Sequence, residues 1–233
     1  MQSLPEGYRA LVVGASGGIG AAVCEALAAD PRCGALIGLH RRSEPPLELT
    51  DEAGIEAAAA QVRDRVGALE LVFDATGALT VDGHPPEKTI RRLDPAVMAR
   101  AFAINAIGPA LLIKHFAPLL PRGARALFAT VSARVGSIGD NRRGGWISYR
   151  SSKAALNQIV RTAAIELAFR HPQAVLVGLQ PGTVATPLAA PYADPAATIT
   201  PEESARRLLG VLDSLGPGTS GALVDHRGGV IPP

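Results

Sequence analysis

Cysteine, net charge and long apolar runs are all scarce in this sequence. Two cysteines, Cys24 and Cys33, are too few for a disulfide framework. The formal net charge is only +2, and no run of Lys or Arg is longer than two residues, so a clustered basic face is not expected. We therefore expect no nucleic-acid partner.

We also expect no segment that directs the chain into a membrane or out of the cell. No window of about 18 residues is apolar without interruption, as a membrane-spanning helix requires. The first residues lack a basic start, a long apolar run and a small-residue cleavage site, which together define a secretory signal. We expect a cytoplasmic protein with no membrane partner.

The chain has enough apolar sequence for one large α/β domain. Its 233 residues are 47% hydrophobic and 19% charged, which suits a globular protein with a sizeable core. Short apolar runs alternate with longer helical patterns, and this order predicts a doubly wound, Rossmann-like parallel sheet with helices on both faces. We expect residues 1–233 to form a single domain. The predicted strands are Arg9–Val13, Ala35–Leu39, a short piece near Leu47–Leu49, Leu69–Ala75, Ala124–Thr130, Ala174–Gln180 and Ala222–Asp225. The predicted helices are Gly18–Ala29, Asp51–Val66, Pro95–Leu120, Tyr149–Arg170 and Pro201–Leu215.

A glycine-rich turn joins the first predicted strand to the first predicted helix. Gly14, Gly18 and Gly20 have the spacing G-x-x-x-G-x-G, and Ser16 and Ile19 lie between them. Free N–H groups and the positive dipole end at a helix start favour a pyrophosphate, and glycine lets the phosphate approach the backbone. The turn predicts a dinucleotide site, although a glycine-rich turn can also exist without a ligand.

The choice of cofactor is predicted from the residues that follow the second strand. An NAD enzyme usually places Asp or Glu there to bind the ribose 2′-hydroxyl, whereas this chain has His40, Arg41 and Arg42, with no acid before Glu44. An arginine fork can bind a 2′-phosphate, which a carboxylate would repel. We predict NADP(H), with Arg41 as the main ligand of the phosphate and Ser16 near it. The alternative is that Arg41 and Arg42 form a solvated surface pair.

Tyr149 and Lys153 are four residues apart, which places them on one face of a helix, one turn from each other. A phenol has an ordinary pKa of about 10, which is too high for acid–base work at neutral pH. Because a nearby cation favours the phenolate, we expect Lys153 to lower the pKa of Tyr149. The pattern predicts Tyr149 as a general acid and base, although the same spacing also occurs on ordinary solvated helices.

The chain resembles the short-chain dehydrogenase/reductase family in five ordered motifs. These are the glycine turn, the segment Asp74–Gly77, Asn105 within an apolar helix, Tyr149 with Lys153, and the segment Pro181–Thr186. The segment Asp74–Gly77 departs from the family's Asn-Asn-Ala-Gly at both asparagines. An insert that ends in Gly-Gly-Trp also resembles a subgroup that contains sniffer-type carbonyl reductases and bacterial C-signal proteins.

The resemblance implies roles for further residues. Ser132 holds the position of the substrate-orienting serine, with Ser137 in the same loop as the alternative. Asn105 would hold a water that connects Lys153 with solvent, and Lys153 would also bind the ribose hydroxyls. The other implied cofactor contacts are Leu49 beside the adenine, Gly77 against the cofactor, and Pro181, Gly182, Val184 and Thr186 near the nicotinamide.

The resemblance implies hydride transfer between nicotinamide and a small-molecule carbonyl or alcohol, and it implies no metal. The alternative is a nucleotide-binding signalling or regulatory protein with little or no turnover. The fourth predicted helix carries more apolar surface between Ala154 and Leu167 than one stripe needs. Family members pair through this helix and the helix that contains Asn105, so we expect a homodimer or homotetramer.

Overall fold

The computed structural model covers residues 1–233 and is built around one seven-stranded sheet. The order across the sheet is β2-β1-β3-β4-β5-β6-β7, with β7 antiparallel and all other neighbours parallel. The predicted doubly wound α/β fold is thus confirmed. The strands are β1 (Tyr8–Val13), β2 (Cys33–Leu39), β3 (Leu71–Asp74), β4 (Ala126–Val131), β5 (Ala174–Gln180), β6 (Leu223–Asp225) and β7 (Val230–Ile231).

Six α-helices cover the two faces of the sheet. Apolar residues of α2, α4 and α5 pack on one face, and those of α1 and α6 pack on the other. The central strands β1, β3, β4 and β5 are therefore buried from both sides, which explains their continuous apolar sequence. The helices are α1 (Gly18–Ala28), α2 (Glu52–Val66), α3 (Pro95–Phe102), α4 (Gly108–Phe116), α5 (Ile147–Arg170) and α6 (Pro201–Ser214).

The predicted helix Pro95–Leu120 is divided by a π turn at Ala103–Ile107. Pro109 has no N–H group, so the carbonyl of Asn105 cannot receive the usual bond from four residues ahead. The N–H of Gly108 donates instead to the carbonyl of Ala103, five residues back, which is the bond that defines a π turn. The proline therefore widens the helix at Asn105.

The predicted strand near Leu47–Leu49 is wrong, because these residues form a loop and a turn. Pro45 and Pro46 precede them and cannot donate to a sheet ladder. Leu47 is nevertheless buried in the core, and its N–H donates to the carbonyl of His40 at 3.0 Å. The apolar pattern there reflects loop side chains that pack into the core, and not a strand.

The strand order reverses between β1 and β3, because β2 lies on one side of β1 and the remaining strands lie on the other. At such a reversal the loops that follow the two strands diverge and leave a crevice at the carboxyl edge of the sheet. The glycine turn follows β1, and the segment that contains Gly77 follows β3. The fold therefore places both at the crevice.

Candidate active site

One cavity of about 880 Å³ opens at this edge of the sheet. At one end its wall contains Ser16, Gly18 and Ile19 from the turn after β1. At the other end the wall contains Tyr149 and Lys153 from α5. Two motifs that are more than a hundred residues apart in sequence therefore share a single cavity.

Glycines close the turn tightly after β1. Gly14 has φ = +81°, and its N–H donates to the carbonyl of Leu39 at 2.8 Å. A Cβ on Gly20 would lie 2.1 Å from the carbonyl oxygen of Gly14, so no side chain fits there. The N-cap residue of α1, Gly17, offers no side-chain acceptor, and the first N–H groups of a helix have no intrahelical partner. This uncapped helix start fits a phosphate group.

Gly77, Asn105 and Lys153 meet behind the middle of the cavity. The amide of Asn105 is buried in the π turn, donates to the carbonyl of Ala78 and accepts from the N–H of Ala78, both at 2.8 Å. Gly77 has φ = +148°, and a Cβ there would lie 3.2 Å from Nζ of Lys153 and 3.3 Å from Oδ1 of Asn105. Asn105 thus fixes the backbone that passes Lys153, while the water assigned to Asn105 by the resemblance stays a prediction.

Burial shifts the pKa values of Tyr149 and Lys153 in opposite directions. Lys153 is 2% exposed, and burial lowers its pKa to about 8, although the carboxylate of Asp74 opposes this shift. Burial raises the pKa of Tyr149 to about 12, because the surrounding protein disfavours a phenolate. The prediction that Lys153 would lower the pKa of Tyr149 is therefore wrong in direction. The ammonium of Lys153 donates its hydrogen bond to the carbonyl of Val131, at 2.9 Å, and not to Tyr149.

Asp74 is a buried carboxylate at the end of β3. Its carboxylate accepts hydrogen bonds from the N–H of Thr76 at 2.9 Å and from the Thr76 hydroxyl at 2.6 Å. A third bond comes from the hydroxyl of Thr130 at 2.6 Å. These donors satisfy the carboxylate, and its negative charge favours the ammonium form of Lys153.

Ser132 follows β4 and lines the cavity, with its side chain almost fully buried. Its hydroxyl donates to Oδ1 of Asn157 on α5 at 2.6 Å. The alternative serine, Ser137, does not line the cavity, and its hydroxyl accepts from the N–H of Asp140 at 3.1 Å and donates to the carbonyl of Pro233 at 3.5 Å. The structure therefore places Ser132, and not Ser137, in the same cavity as the Tyr–Lys pair.

The loop after β5 packs against the glycine turn. Pro181, Gly182, Val184 and Thr186 all line the cavity, which agrees with their predicted place in the site. A Cβ on Gly18 would lie 2.7 Å from Cγ2 of Thr186, so the loop lies directly against the start of α1. The loop therefore forms part of the cavity wall next to the helix start.

Four predicted cofactor contacts, Gly14, Gly20, Arg41 and Leu49, lie outside the cavity wall. Gly14 and Gly20 nevertheless belong to the turn that contributes other residues to this wall. Arg41 is exposed in the turn after β2, and its side chain forms no hydrogen bond or ion pair. Leu49 packs instead against the start of α4, since a Cβ added to Gly108 would lie 2.8 Å from the Cβ of Leu49. The roles of Arg41 and Leu49 toward a cofactor stay predictions.

Asn157 is a site residue that no motif indicated. It follows Lys153 by four residues and lies on the same face of α5, one turn further along. A polar residue at this spacing from a catalytic candidate is a signal in the sequence, but its partner Ser132 becomes known only from the fold.

The structure also forms an aromatic group at the mouth of the cavity. The ring of Trp146 lies 6.3 Å from that of Tyr149 and 5.6 Å from that of Tyr192, with both pairs packed edge to face. Trp146 has φ = +54°, a left-handed conformation that is uncommon for a bulky residue and often marks a functional position. Gly144 and Gly145 before it have φ = +61° and +66°, so the backbone turns sharply here to point Trp146 into the site.

A comparison with known families identifies the chain. The sequence model described as short chain dehydrogenase matches residues 8–196, which contain the glycine turn, Ser132, Tyr149 and Lys153. The chain belongs to the short chain dehydrogenase family. The resemblance inferred from five motifs is therefore confirmed.

Two relatives and one solved structure show the range of this family. The 1-hydroxy-2-glutathionyl-2-methyl-3-butene dehydrogenase of Rhodococcus sp. (strain AD45) is 36% identical over 178 residues, which are 76% of this chain and 74% of that protein. C-signal of Myxococcus xanthus is 41% identical over 140 residues, or 60% of this chain and 81% of C-signal. The NADPH-bound carbonyl reductase from chicken fatty liver is 28% identical, with a TM-score of 0.84 over 98% of this chain and 100% of that one.

Proposed function

We propose that this protein is an NADP(H)-dependent oxidoreductase that transfers a hydride between nicotinamide and a carbonyl or alcohol. The observation that carries the proposal is the single cavity that joins the glycine turn to Ser132, Tyr149 and Lys153. Membership of the short chain dehydrogenase family supports oxidoreduction. The NADPH-bound carbonyl reductase from chicken fatty liver supports the cofactor and the class of substrate.

The residues present suit this cofactor. The uncapped start of α1 would hold the pyrophosphate, the loop Pro181–Thr186 would hold the nicotinamide half, and Arg41 would bind the 2′-phosphate. When bound, the cofactor supplies the hydride. Kinetics with both cofactors test the choice, and an equal or better kcat/KM with NADH would overturn it.

The chain's own residues position the substrate and supply the proton. Ser132 orients the substrate oxygen, and the O–H of Tyr149 donates to that oxygen as negative charge develops on it. Because burial raises the pKa of Tyr149 to about 12, the phenol is protonated at neutral pH, which suits the reduction of a carbonyl. Lys153, with its pKa of about 8, lies close enough to neutrality to return a proton to Tyr149.

The variant Tyr149→Phe tests this role, because it removes the proton donor and keeps a ring that packs against Trp146. We expect NADPH-dependent reduction of aldehydes and ketones to fall by about 10²–10⁴-fold. The affinity for NADPH, measured by fluorescence titration, should change less than about twofold. Near-normal turnover by the variant would refute the role of Tyr149.

NADPH binding by the wild type without turnover of any carbonyl in a broad panel would favour a regulatory function instead.

A further inference from the structure

The charged side chains that line the cavity are all cationic. They are Lys88, Arg134, Arg143, Arg150 and Lys153, and no Asp or Glu is among the lining residues. The protein as a whole is nearly balanced, with 23 basic and 21 acidic side chains, so the cavity departs from the average of the chain. A wall of one sign concentrates ligands of the opposite sign.

Three of these cations already have partners or a role. Arg134 forms ion pairs with Asp140 at 3.0 Å and Asp225 at 3.3 Å. The guanidinium of Arg150 donates to two backbone carbonyls of the surrounding loops, and Lys153 belongs to the catalytic group. The side chains of Lys88 and Arg143 line the cavity, are exposed at its mouth and form no hydrogen bond or ion pair.

The acids nearest to them in sequence are Asp140 and Glu87, and neither compensates for them at the surface. Asp140 pairs with Arg134 at 3.0 Å. Glu87 is 8% exposed, and its carboxylate accepts from the N–H of Ser148 at 3.2 Å and from the Ser148 hydroxyl. Its side chain is therefore turned behind the wall, while Lys88 faces the cavity. The positive charge at the mouth is left for a ligand.

Lys88 and Arg143 lie at the substrate end of the cavity, beside Tyr149 rather than beside the glycine turn. Arg143 is three residues before Trp146, whose ring packs against Tyr149. The N–H of Trp146 donates to the carbonyl of Glu87, which places Lys88 next to the same aromatic group. The pyrophosphate site at the start of α1 is at the opposite end, so these two cations are free to serve the substrate.

Resting on the proposed function, we propose that the carbonyl or alcohol substrate carries a carboxylate, which Arg143 and Lys88 bind at the mouth of the cavity. Its apolar part lies against Trp146 and Tyr192, and its carbonyl reaches Tyr149. A guanidinium binds a carboxylate through two parallel hydrogen bonds, and a second cation adds attraction without fixing geometry. Charges at a rim raise the rate of encounter and select between partners.

Two substrates of the same skeleton test the proposal: para-formylbenzoate and its neutral methyl ester. We expect the wild type to reduce the carboxylate with a kcat/KM about five- to tenfold above that of the ester, a preference that falls as salt is added. The double variant Lys88→Gln/Arg143→Gln should bring this ratio to about one. The matched control Arg142→Gln removes a neighbouring arginine that bonds to the carbonyl of Gly139 and does not line the cavity, so it should keep the preference.

A binding measurement separates this proposal from the proposed function. Trp146 is the only tryptophan in the chain and lines the cavity, so its fluorescence reports on ligands without turnover. Para-hydroxymethylbenzoate should bind more tightly than its methyl ester to the wild type and to Arg142→Gln, but not to the double variant. Loss of catalysis on both aldehydes, with this binding pattern intact, would reject the reaction and keep the anion site. Equal binding of acid and ester, or a preference that survives in the double variant, would overturn the anion site whatever the turnover.

Discussion

The hydroxyl of Ser132 is hydrogen-bonded to Asn157, which lies outside the motifs that the chain shares with its family. The Ser132 hydroxyl donates a hydrogen bond at 2.6 Å to Oδ1 of Asn157, which lies one turn of α5 after Lys153. A serine hydroxyl can rotate among three staggered positions, so this bond selects one of them. Asn157 is therefore a positioning residue that acts through Ser132.

Removing this partner should affect turnover more than binding. In Asn157→Ala we expect kcat to fall about tenfold, because Oγ of Ser132 is no longer held in the rotamer from which its proton can turn from Asn157 to the substrate oxygen. The affinity for NADPH should be unchanged. Gln158→Ala, at the exposed neighbouring position, is the matched control and should retain the wild-type kcat.

A double variant decides whether Asn157 works through Ser132. If it does, adding Asn157→Ala to Ser132→Ala should cost little further activity, because the hydroxyl is already gone. Steady-state kinetics on one aldehyde measure all four proteins. Equal losses in the presence and absence of the Ser132 hydroxyl would mean that the two residues act independently.

Lys153 places a buried charge in the site at a cost to stability. The fall of its pKa from 10.5 to about 8 corresponds to about 3 kcal/mol against the folded state at pH values below 8. Lys153→Met should therefore raise the free energy of unfolding by up to about 3 kcal/mol at pH 7 while it lowers activity. Urea unfolding measures this difference.

The same shift fixes how stability should change with pH. Between pH 8 and 10.5 the unfolded chain carries the Lys153 proton more often than the folded chain, so the wild type gains stability as pH rises. The Met variant lacks this gain, and the difference between the two proteins should shrink by pH 10. A variant that is no more stable than the wild type at pH 7 would contradict the assignment.

The sequence predicted the reacting side chains better than their surroundings. Tyr149, Lys153 and Ser132 were found because they occupy fixed positions in ordered motifs, and the cavity contains all three. The direction of the Tyr149 pKa was missed because it depends on how deeply the phenol is buried, which the spacing of two residues does not contain. Asn157 was missed because its contact with Ser132 crosses from α5 to the end of β4.

Periodicity predicted most helices and strands, and local backbone chemistry explains where it did not. The apolar stripe of Pro95–Leu120 continues through the π turn, so the pattern reads as one helix. Only the missing N–H of Pro109 signals the change of hydrogen bonding. The pattern near Leu47 was likewise apolar, but two prolines exclude it from the sheet.

A pair of glycine-to-alanine changes in two helices should have opposite effects on stability. A Cβ at position 20 in α1 would lie 2.1 Å from the oxygen of Gly14, so Gly20→Ala should destabilise the fold by about 2–4 kcal/mol. Gly210 in α6 has open space around it, so Gly210→Ala should stabilise by about 0.5–1 kcal/mol. Thermal unfolding of both variants measures the contrast. A stabilised Gly20→Ala protein would contradict the close packing of position 20 against Gly14.

At the scale of the whole molecule, two neighbouring helical segments leave apolar side chains in solvent. The most apolar window of Pro95–Leu119 has a mean hydropathy of 1.7, so this segment is long and apolar enough to cross a membrane, as core helices of soluble proteins also are. Only 39% of its most apolar window is buried. Ile107 in the π turn is 54% exposed, and Ile165 and Phe169 on α5 are 51% and 84% exposed. Such faces are typical of contact surfaces between protein chains.

We propose that a second copy of the chain covers this surface, as expected from the sequence. Phe169→Glu combined with Ile165→Glu should shift the protein toward monomer, because burying two carboxylates against apolar side chains is costly. Light scattering coupled to size exclusion measures the mass. Ile138→Glu is the matched control, since Ile138 is 78% exposed in the loop before α5 and should leave the association intact. A wild type that is monomeric at working concentrations would remove the proposal.

The close approach of Gly18 to Thr186 has a consequence for how the protein handles a long ligand. Because Gly18 has no side chain, the loop that would orient the nicotinamide can pack against the helix start that would bind the phosphates. Phosphate binding at the helix start and orientation of the nicotinamide by the loop are therefore coupled through this contact. A methyl group added at position 18 would disturb both together.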